Sequence, residues 1–231
     1  MIPASIVRSR FLLFDTVAYR TSARLAIRHR IHTLRGCRMN DAKTDARAGE
    51  VRSERWIEAG LQELARTGVE GVRVEVLAKN LGVTKGGFYR RFRDRAALLE
   101  AMLQNWSEGR IAAIQRHASL DGASARERLR ALIALYSERM NTEGMAVELA
   151  IRQWARADEL AANAVASVDA ARLKNVGLLY RATGLPAEEA DAQAFLFYCF
   201  VFGQSLLFLE RGPRKRAQLV AKSAETLLRD L

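Results

Sequence analysis

The chain has 231 residues, of which 49% are hydrophobic and 27% are charged, with 15 glycines and only 3 prolines. This composition is typical of a folded, mostly helical protein, and it excludes collagen-like and intrinsically disordered chains. The formal net charge of +11 favours a polyanionic partner, either nucleic acid or an anionic membrane surface.

The number of cysteines and the hydropathy of the chain bear on whether it is a disulfide-stabilised, zinc-binding or membrane protein. Cys37 and Cys199 are too few for a disulfide framework or a four-ligand zinc site, so we expect a reducing cytoplasm. We also expect no metal and no cofactor. The longest apolar stretch, residues 194–202, is about half of what a bilayer span needs. The sequence therefore predicts neither a membrane span nor a membrane partner.

The N-terminal part is unlike the rest of the chain. Residues 1–40 contain eight arginines against the single Asp15, which accounts for +7 of the net charge. Three interpretations remain open: a basic arm that reaches DNA, a targeting leader, or a poorly ordered extension, which the native protein would lack if Met39 were the true start. The third is favoured, and we treat residues 1–46 as a basic extension and linker. His29, His32 and Cys37 are too loosely spaced to predict a metal site.

The first predicted helix follows the linker. Its apolar positions recur at i, i+3, i+4, i+7 and i+8: Ile57, Gly60, Leu61, Leu64 and Ala65. This spacing predicts an amphipathic helix of about four turns that Gly68 ends.

Two shorter helices are predicted on either side of Gly82. The first contains the apolar positions Val74, Leu77, Ala78 and Leu81. The second begins at Thr84, which we expect to cap it by accepting hydrogen bonds from backbone N–H groups. Its N-terminal end offers partial positive charge to a phosphate or a base.

Two glycines in the first turn of that second helix need an explanation. Gly86 and Gly87 each cost about 1 kcal/mol of helix propensity, but they let the backbone approach a base pair or phosphate closely. Phe88 and Phe92 are four residues apart and can face the core. The outer face is then left with cationic and aromatic side chains: Lys85, Tyr89, Arg90 and Arg91.

The charge of this stretch is strongly positive. Residues 79–95 contain six basic residues and one acidic residue, Asp94, which is placed to cap the following helix. A basic helix after a glycine turn can also be an ordinary solvated face, so the pattern alone leaves both interpretations open.

Residues 52–102 resemble the DNA-binding domain of the tetracycline-repressor (TetR) family of bacterial regulators. The resemblance rests on a first helix ending at Gly68, followed by VEVLAKNLGVTKGGFYRRFRDRAALL. It implies a three-helix DNA-binding domain over residues 47–98, in which the second and third helices form a helix-turn-helix and the third enters the major groove.

The resemblance also implies roles for individual residues. Thr84, Lys85, Gly86 and Gly87 are expected at the groove entrance. Tyr89, Arg91 and Arg95 are expected to grip phosphates, and Arg90 to contact a base or a phosphate.

Two residues depart from the family pattern. Arg73 replaces the usual Ser or Thr that opens the second helix, so a cap is lost and a cation stands where a phosphate is expected. Gly87 replaces a small side chain, so base preference would rest on Lys85 and Arg90.

Residues 99–231 are predicted to form a larger helical ligand-binding and dimerisation domain, giving an all-α fold. Residues 129–140 and 165–179 keep helical spacing, and four glycine positions mark the predicted breaks: Gly122, Gly144, Gly184 with Pro186, and Gly212 with Pro213.

The segment 194–202 is apolar all round, so we expect burial on more than one face, by its own domain and by another chain. In the family, the last two helices pair with their symmetry mates, which implies a homodimer. The alternative is that 195–202 is core of a single chain. The predicted interface residues are Phe195, Tyr198, Phe202, Leu206, Leu219 and Leu227.

A sensor site is expected among the bulky residues of the middle helices. The candidates are Met102, Trp106, Tyr136, Met140, Trp154 and Tyr180, each of which can equally be core. Few charged groups are expected at these inward positions, so we predict a small, mainly apolar effector that makes one or two hydrogen bonds.

The sequence thus predicts a cytoplasmic, homodimeric transcriptional regulator, a repressor in most members of the family, that binds a palindromic operator in double-stranded DNA and responds to an effector. An enzyme is not predicted, because the sequence has no P-loop, no dinucleotide fingerprint and no nucleophile matched to a histidine. The alternative is a ligand-independent DNA-binding or nucleoid-associated protein.

Overall fold

The computed structural model describes residues 52–118, 123–138, 142–207 and 212–228, and these segments are helical with short connections and no strand. The predicted all-α fold is confirmed. Two compact units divide after Gly109. The helices in chain order are α1 Ser53–Thr67, α2 Val74–Leu81, α3 Lys85–Tyr89, α4 Arg95–Ala118, α5 Ala125–Glu138, α6 Thr142–Trp154, α7 Glu159–Arg181, α8 Ala187–Leu206 and α9 Pro213–Leu227.

Several predictions lie outside the described residues: the extension and linker over residues 1–46, the break at Gly122 and the sensor candidate Met140. Within the described segments, no helix combines the length and apolar character that crossing a membrane requires.

The first unit has its core between α1 and the helices that follow. Trp56, Leu61 and Leu64 of α1 are fully or almost fully buried. The helix ends where predicted, at Gly68, whose φ of 77° suits glycine. Close packing is strictest at Gly60, where an added Cβ would lie 2.6 Å from Sδ of Met102. Glycine therefore lets α4 approach α1.

The boundary between the units differs from the prediction. The sequence placed it after residue 98, whereas the units divide after Gly109, inside α4. The reason is that Leu98, Met102 and Trp106 are buried, with Met102 against Gly60 of α1. The first half of α4 is therefore part of the first unit's core.

The second unit is a helical bundle around one core cluster. Leu129 and Ile133 of α5, Tyr180 of α7 and Phe197 of α8 are its most deeply buried large residues. Within the helical spacing predicted for residues 129–140 and 165–179, the buried hydrophobic positions are Leu129, Leu132, Ile133, Val168, Val176 and Leu179. The core thus involves helices from most of the unit.

The predicted helix breaks have mixed outcomes. Gly184 has a φ of 103° and separates α7 from α8, and Gly212 precedes Pro213 at the first position of α9. The break predicted at Gly144 is wrong, because Gly144 is the third residue of α6. A single glycine in a helix costs only about 1 kcal/mol, which the packing of α6 outweighs.

Candidate nucleic-acid interface

The connection between α2 and α3 is a tight turn at Gly82. Gly82 has left-handed backbone angles (φ 68°, ψ 32°), and its N–H donates to the carbonyl of Lys79 at 3.2 Å. The N–H of Val83 then donates to the carbonyl of Ala78 at 2.9 Å. These bonds satisfy the end of α2 and fix the direction of α3. The helix, turn and helix predicted around Gly82 are confirmed.

Aromatic packing holds α3 in place. Phe88 is fully buried, with its ring 5.3 Å from that of Trp56 at an angle of 73° and 5.4 Å from that of Phe92. This edge-to-face contact is among the favoured aromatic arrangements. Both predicted anchors therefore face the core, while Tyr89 is 59% exposed and Arg90 is also exposed.

Thr84 holds the N-cap position of α3, but not in the way predicted. Its backbone is extended (φ −82°, ψ 155°), as an N-cap requires, yet its side chain accepts no capping hydrogen bond. The backbone carbonyl of Thr84 instead accepts from the N–H of Gly87 at 3.0 Å, which closes the first turn of this five-residue helix. The predicted side-chain cap is therefore wrong.

Gly86 and Gly87 are not required by the packing of the chain. An added Cβ at Gly87 would meet nothing within 4 Å, and one at Gly86 would meet only Thr84 Oγ1 at 3.7 Å. Neither has the positive φ found at Gly68 and Gly82. The chain therefore has a helix-weakening pair of glycines at a surface position with no internal reason for it.

An ion pair between Glu75 and Lys85, which the sequence did not predict, joins α2 to α3. Nζ of Lys85 lies 2.9 Å from Oε1 of Glu75, and the two side chains are 57% and 61% exposed. The hydrogen bond from Lys85 lowers the pKa of the Glu75 carboxyl, and the same bond raises the pKa of the Lys85 amine. Ten residues separate the two in sequence, so only the turn at Gly82 brings them together.

The remaining predicted contacts fall into two groups. Arg73, at the N-cap of α2 with no side-chain capping bond, and Arg90 and Arg91 are exposed. Arg95 is half-buried, and its guanidinium donates from Nε to the carbonyl of Val72 at 2.6 Å and from Nη2 to that of Val69. Arg95 therefore fastens the start of α4 to the connection between α1 and α2, a structural role that the sequence did not reveal.

Asp94 caps α4 as predicted. Its Oδ1 accepts from the N–H of Ala97 at 2.8 Å, and its Oδ2 accepts from Nε of Arg93 at 2.8 Å. The bond from Ala97, with that from Arg93, lowers the pKa of the Asp94 carboxyl. The helix after the interface therefore starts at a fixed residue.

The predicted sensor residues do not all lie in one place. Met102 and Trp106 lie in the first unit and are buried there. In the second unit, Trp154 and Tyr180 are buried and Tyr136 is half-buried. The Tyr180 hydroxyl is buried with no hydrogen-bond partner among the described residues, and burial raises its pKa to about 12.

The residues predicted to form the dimer interface differ in their exposure. Phe195, Leu206 and Leu219 are 59%, 58% and 42% exposed, while Phe202 and Leu227 are half-buried. Tyr198 is buried in the core of its own unit, 4.9 Å from the ring of Phe197, so its packing is explained without a second chain. Helix α8 thus has a buried face and an exposed apolar face.

The second unit also contains a buried charged cluster that the sequence did not predict. Glu148 of α6 is 1% exposed and accepts two bonds from Arg172 of α7, at 2.8 and 2.9 Å. Arg110 and Arg152 lie 3.5 and 3.0 Å from the same carboxylate, and Arg152 also binds Asp169. Burial opposes ionisation, but the bonds from Arg172 and the charges of all three arginines keep the pKa of Glu148 below its ordinary value of 4.5.

Part of this cluster was visible in the sequence. Glu148 and Arg152 are four residues apart and Asp169 and Arg172 are three apart, so each pair shares a helix face. The pairing between the two helices depends on tertiary packing and has no local signature.

Comparison with known proteins agrees with this geometry. Residues 57–102 match the model of the tetR family of bacterial regulatory proteins. No curated protein sequence matches the chain. The stretch 57–102 contains α2, the turn at Gly82 and all of α3, so the resemblance noted in the sequence is confirmed over the helix-turn-helix.

Solved structures share the fold. A Rhodococcus protein described as a TetR-family transcriptional regulator is 24% identical over 76% of this chain and 98% of its own, with a TM-score of 0.57. A transcriptional regulator from Saccharomonospora viridis in complex with choline is 19% identical over 75% and 95%, with a TM-score of 0.61. The fatty acid degradation regulator FadR from Bacillus halodurans is 17% identical over 76% and 94%, with a TM-score of 0.56. The chain thus has a TetR-type helix-turn-helix domain within the fold of transcriptional regulators.

Proposed function

We propose that this protein is a ligand-responsive transcriptional repressor of the cytoplasm that binds a palindromic operator as a homodimer. The observation that supports DNA binding most directly is the anchoring of α3 by Phe88, which leaves its cationic face exposed within a matched TetR-type domain. Helix α3 would enter the major groove, and two heads about one helical turn apart, near 34 Å, would read the two half-sites.

The contacts on DNA divide into two kinds. Arg90 and Lys85 are proposed to reach base edges, where bidentate contacts of a cation to guanine are the commonest specific interaction. Tyr89, Arg91 and Arg73 are proposed to bind phosphates, which position the protein without reading sequence. Gly86 and Gly87, which the chain itself does not need, would let the backbone of α3 lie against the groove.

A homodimer is supported by the exposed face of α8. Phe195 and Leu196 are 59% and 50% exposed, and Leu206 extends the same apolar surface to the end of the helix. Contiguous exposed apolar surface on a helix is typical of an association site. Leu219 of α9 is exposed as well, so both terminal helices have apolar surface for a partner.

An effector site is proposed in the second unit, near Tyr180. A buried hydroxyl without a hydrogen-bond partner calls for an explanation, and a ligand that accepts one hydrogen bond supplies it. The surrounding core is apolar and aromatic, which favours a mainly apolar molecule. Ligand binding would release DNA through a coupling of about 1–3 kcal/mol.

The DNA-binding proposal is tested by selecting duplexes from a random pool with the full-length protein. Affinity for the selected duplex and for a scrambled duplex of the same composition is then measured at one salt concentration. We expect a preference of about 10³-fold or more. Equal affinities with a steep salt dependence would instead indicate the nucleoid-associated alternative.

The role of Arg90 is tested on the same two duplexes. Arg90→Ala should weaken binding to the selected duplex more than to the scrambled one, and Arg156→Ala, at an exposed position in the second unit, serves as the matched control. An equal loss on both duplexes would restrict Arg90 to a phosphate contact.

Light scattering tests the homodimer. The wild type should show twice the mass of the 25.8 kDa chain, and Phe195→Glu should reduce it to one chain. Leu178→Glu is the matched control, because Leu178 is 50% exposed on α7.

Cross-linking provides a second test of the homodimer. In a Cys37→Ser variant, a bismaleimide should join two chains through Cys199, which is exposed on α8. A concentration-independent single-chain mass would overturn the dimer.

The effector is sought by thermal shift with a panel of apolar and aromatic acceptor compounds. Choline is included, because the Saccharomonospora protein was solved in complex with it. A true effector should raise the unfolding temperature and lower affinity for the selected duplex, and Tyr180→Phe should weaken both effects. A compound that stabilises the wild type and the Tyr180→Phe variant equally would show that Tyr180 does not bind the effector.

A further inference from the structure

Glu75 is the one acidic residue between Arg73 and Arg93, a segment that contains six arginines and lysines. It lies on the helix-turn-helix itself, in the first turn of α2, and its side chain is 61% exposed. A carboxylate on a surface that meets phosphates opposes binding. The position of Glu75 therefore needs a reason that outweighs this repulsion.

The ordinary reason is the helix dipole, because an acidic residue in the first turn stabilises a helix by a small amount. The geometry shows more than that. The Glu75 carboxylate accepts a bond from Lys85, the first residue of α3, across the turn. Lys85 is also one of the two residues proposed to read bases.

The pair has a direct consequence for non-specific binding. Cations that neutralise phosphates release counterions, and this term supplies nearly all of the affinity for random DNA. A lysine already held by a carboxylate has its charge offset, so it neutralises a phosphate less effectively. Lys85 then adds little to random binding, and only an acceptor better than Glu75 can draw it away.

We propose that Glu75 is a positioning residue that sets DNA specificity by holding Lys85 until a base acceptor in the operator replaces it. The inference rests on the proposed DNA-binding function. It assigns to α2 a part in selectivity that lies outside the recognition helix, and it makes the Glu75–Lys85 bond a competitor for DNA.

The test uses the full-length protein, the duplex selected by the wild type and its scrambled counterpart, over a range of salt concentrations. Glu75→Gln keeps the shape and removes the charge. Affinity for the scrambled duplex should rise by about three- to tenfold, and the slope of log K against log salt should steepen by about 0.9, the value of one added phosphate contact. Affinity for the selected duplex should rise less, so that the specificity ratio falls.

Two controls separate positioning from general electrostatics. Glu70→Gln removes the same charge from another exposed carboxylate of the first unit, and it should leave the ratio unchanged. In a Lys85→Met background, Glu75→Gln should no longer change the slope, because the cation it would release is absent.

The outcomes are distinct. Equal small effects of Glu75→Gln and Glu70→Gln would overturn the inference, and so would a loss of affinity for both duplexes, which would indicate a purely structural role for Glu75. A wild type that selects no preferred duplex would overturn the proposed function itself.

Discussion

Two ion pairs of almost the same length have opposite surroundings in this molecule. The bond between Glu75 and Lys85 measures 2.9 Å and that between Glu148 and Arg172 measures 2.8 Å. The first pair is more than half exposed, whereas the side chains of the second are 1% and 9% exposed. Solvent, and not distance, therefore decides what each pair can do.

An exposed pair contributes about 0–1 kcal/mol to stability, because water stabilises the separated charges nearly as well as the ion pair does. Such a pair can open at little cost when a better acceptor than Glu75 approaches. A buried pair has lost its hydration, so neither partner can leave without stranding the other. The Glu75–Lys85 pair thus has its charges available for exchange, whereas the Glu148–Arg172 pair is fixed in the interior of the second unit.

The sharpest test of this contrast is removal of the buried carboxylate. Glu148→Gln should lower the free energy of unfolding by about 3–5 kcal/mol, because the buried Arg172 loses its buried counter-ion and keeps only the partly exposed Asp169, at 3.2 Å. Urea denaturation followed by circular dichroism measures the loss. Glu75→Gln is the matched control and should change stability by less than about 1 kcal/mol. Equal losses for both variants would show that the contrast is wrong.

A substitution at Arg95 distinguishes its predicted role as a phosphate contact from its structural role in the first unit. Arg95→Lys keeps the charge but cannot make both bonds to the carbonyls of Val69 and Val72. Bonds to a charged group contribute about 1.5–3 kcal/mol, so we expect a loss in this range in urea denaturation. A variant with unchanged stability and weaker DNA binding would instead restore the phosphate role.

Acid provides a milder perturbation of the buried cluster. The pKa of Glu148 lies below its ordinary 4.5 in the folded protein, so its contribution to stability is present above that value and is lost as pH falls through the folded pKa. Stability should therefore decrease on acidification below about pH 4.5. In Glu148→Gln this part of the decrease should be missing, which a series of urea midpoints between pH 3 and 6 will show.

The smallest expected stability effect lies at the interface. Gly87→Ala should stabilise the first unit by up to about 1 kcal/mol, since an added Cβ meets nothing within 4 Å. The same variant should bind the selected duplex less tightly, because the methyl group lies where the groove would approach. Gly60→Ala is the contrasting control, where Met102 occupies the space and stability should fall. If Gly87→Ala left DNA binding unchanged, close approach would not explain the glycine.

Local patterns predicted most of the fold. The turn at Gly82, the anchors Phe88 and Phe92 and the cap at Asp94 are each encoded within a few residues, so spacing and residue type were sufficient. The break predicted at Gly144 failed because glycine is also tolerated near the start of a helix when the helix is packed on one side.

Contacts between distant segments were not predictable in this way. Glu75 and Lys85 meet across a turn, Arg95 bonds to carbonyls more than twenty residues earlier, and Glu148 pairs with Arg172 from another helix. Nothing in the local sequence marks such partners, because a charged residue on an amphipathic helix is more often solvated. The phosphate role predicted for Arg95 came from the family resemblance, which does not reveal its bonds to Val69 and Val72.

The exposed apolar face of α8 has a consequence for how much active protein a cell holds. If Phe195 and Leu206 close a dimer, folding and association are linked, and the stability of each chain rises with the concentration of its partner. A regulator made in few copies would then be limited by assembly and not by the strength of its fold. Its occupancy of an operator would depend on the square of its concentration, so a modest change in synthesis would become a sharper change in transcription.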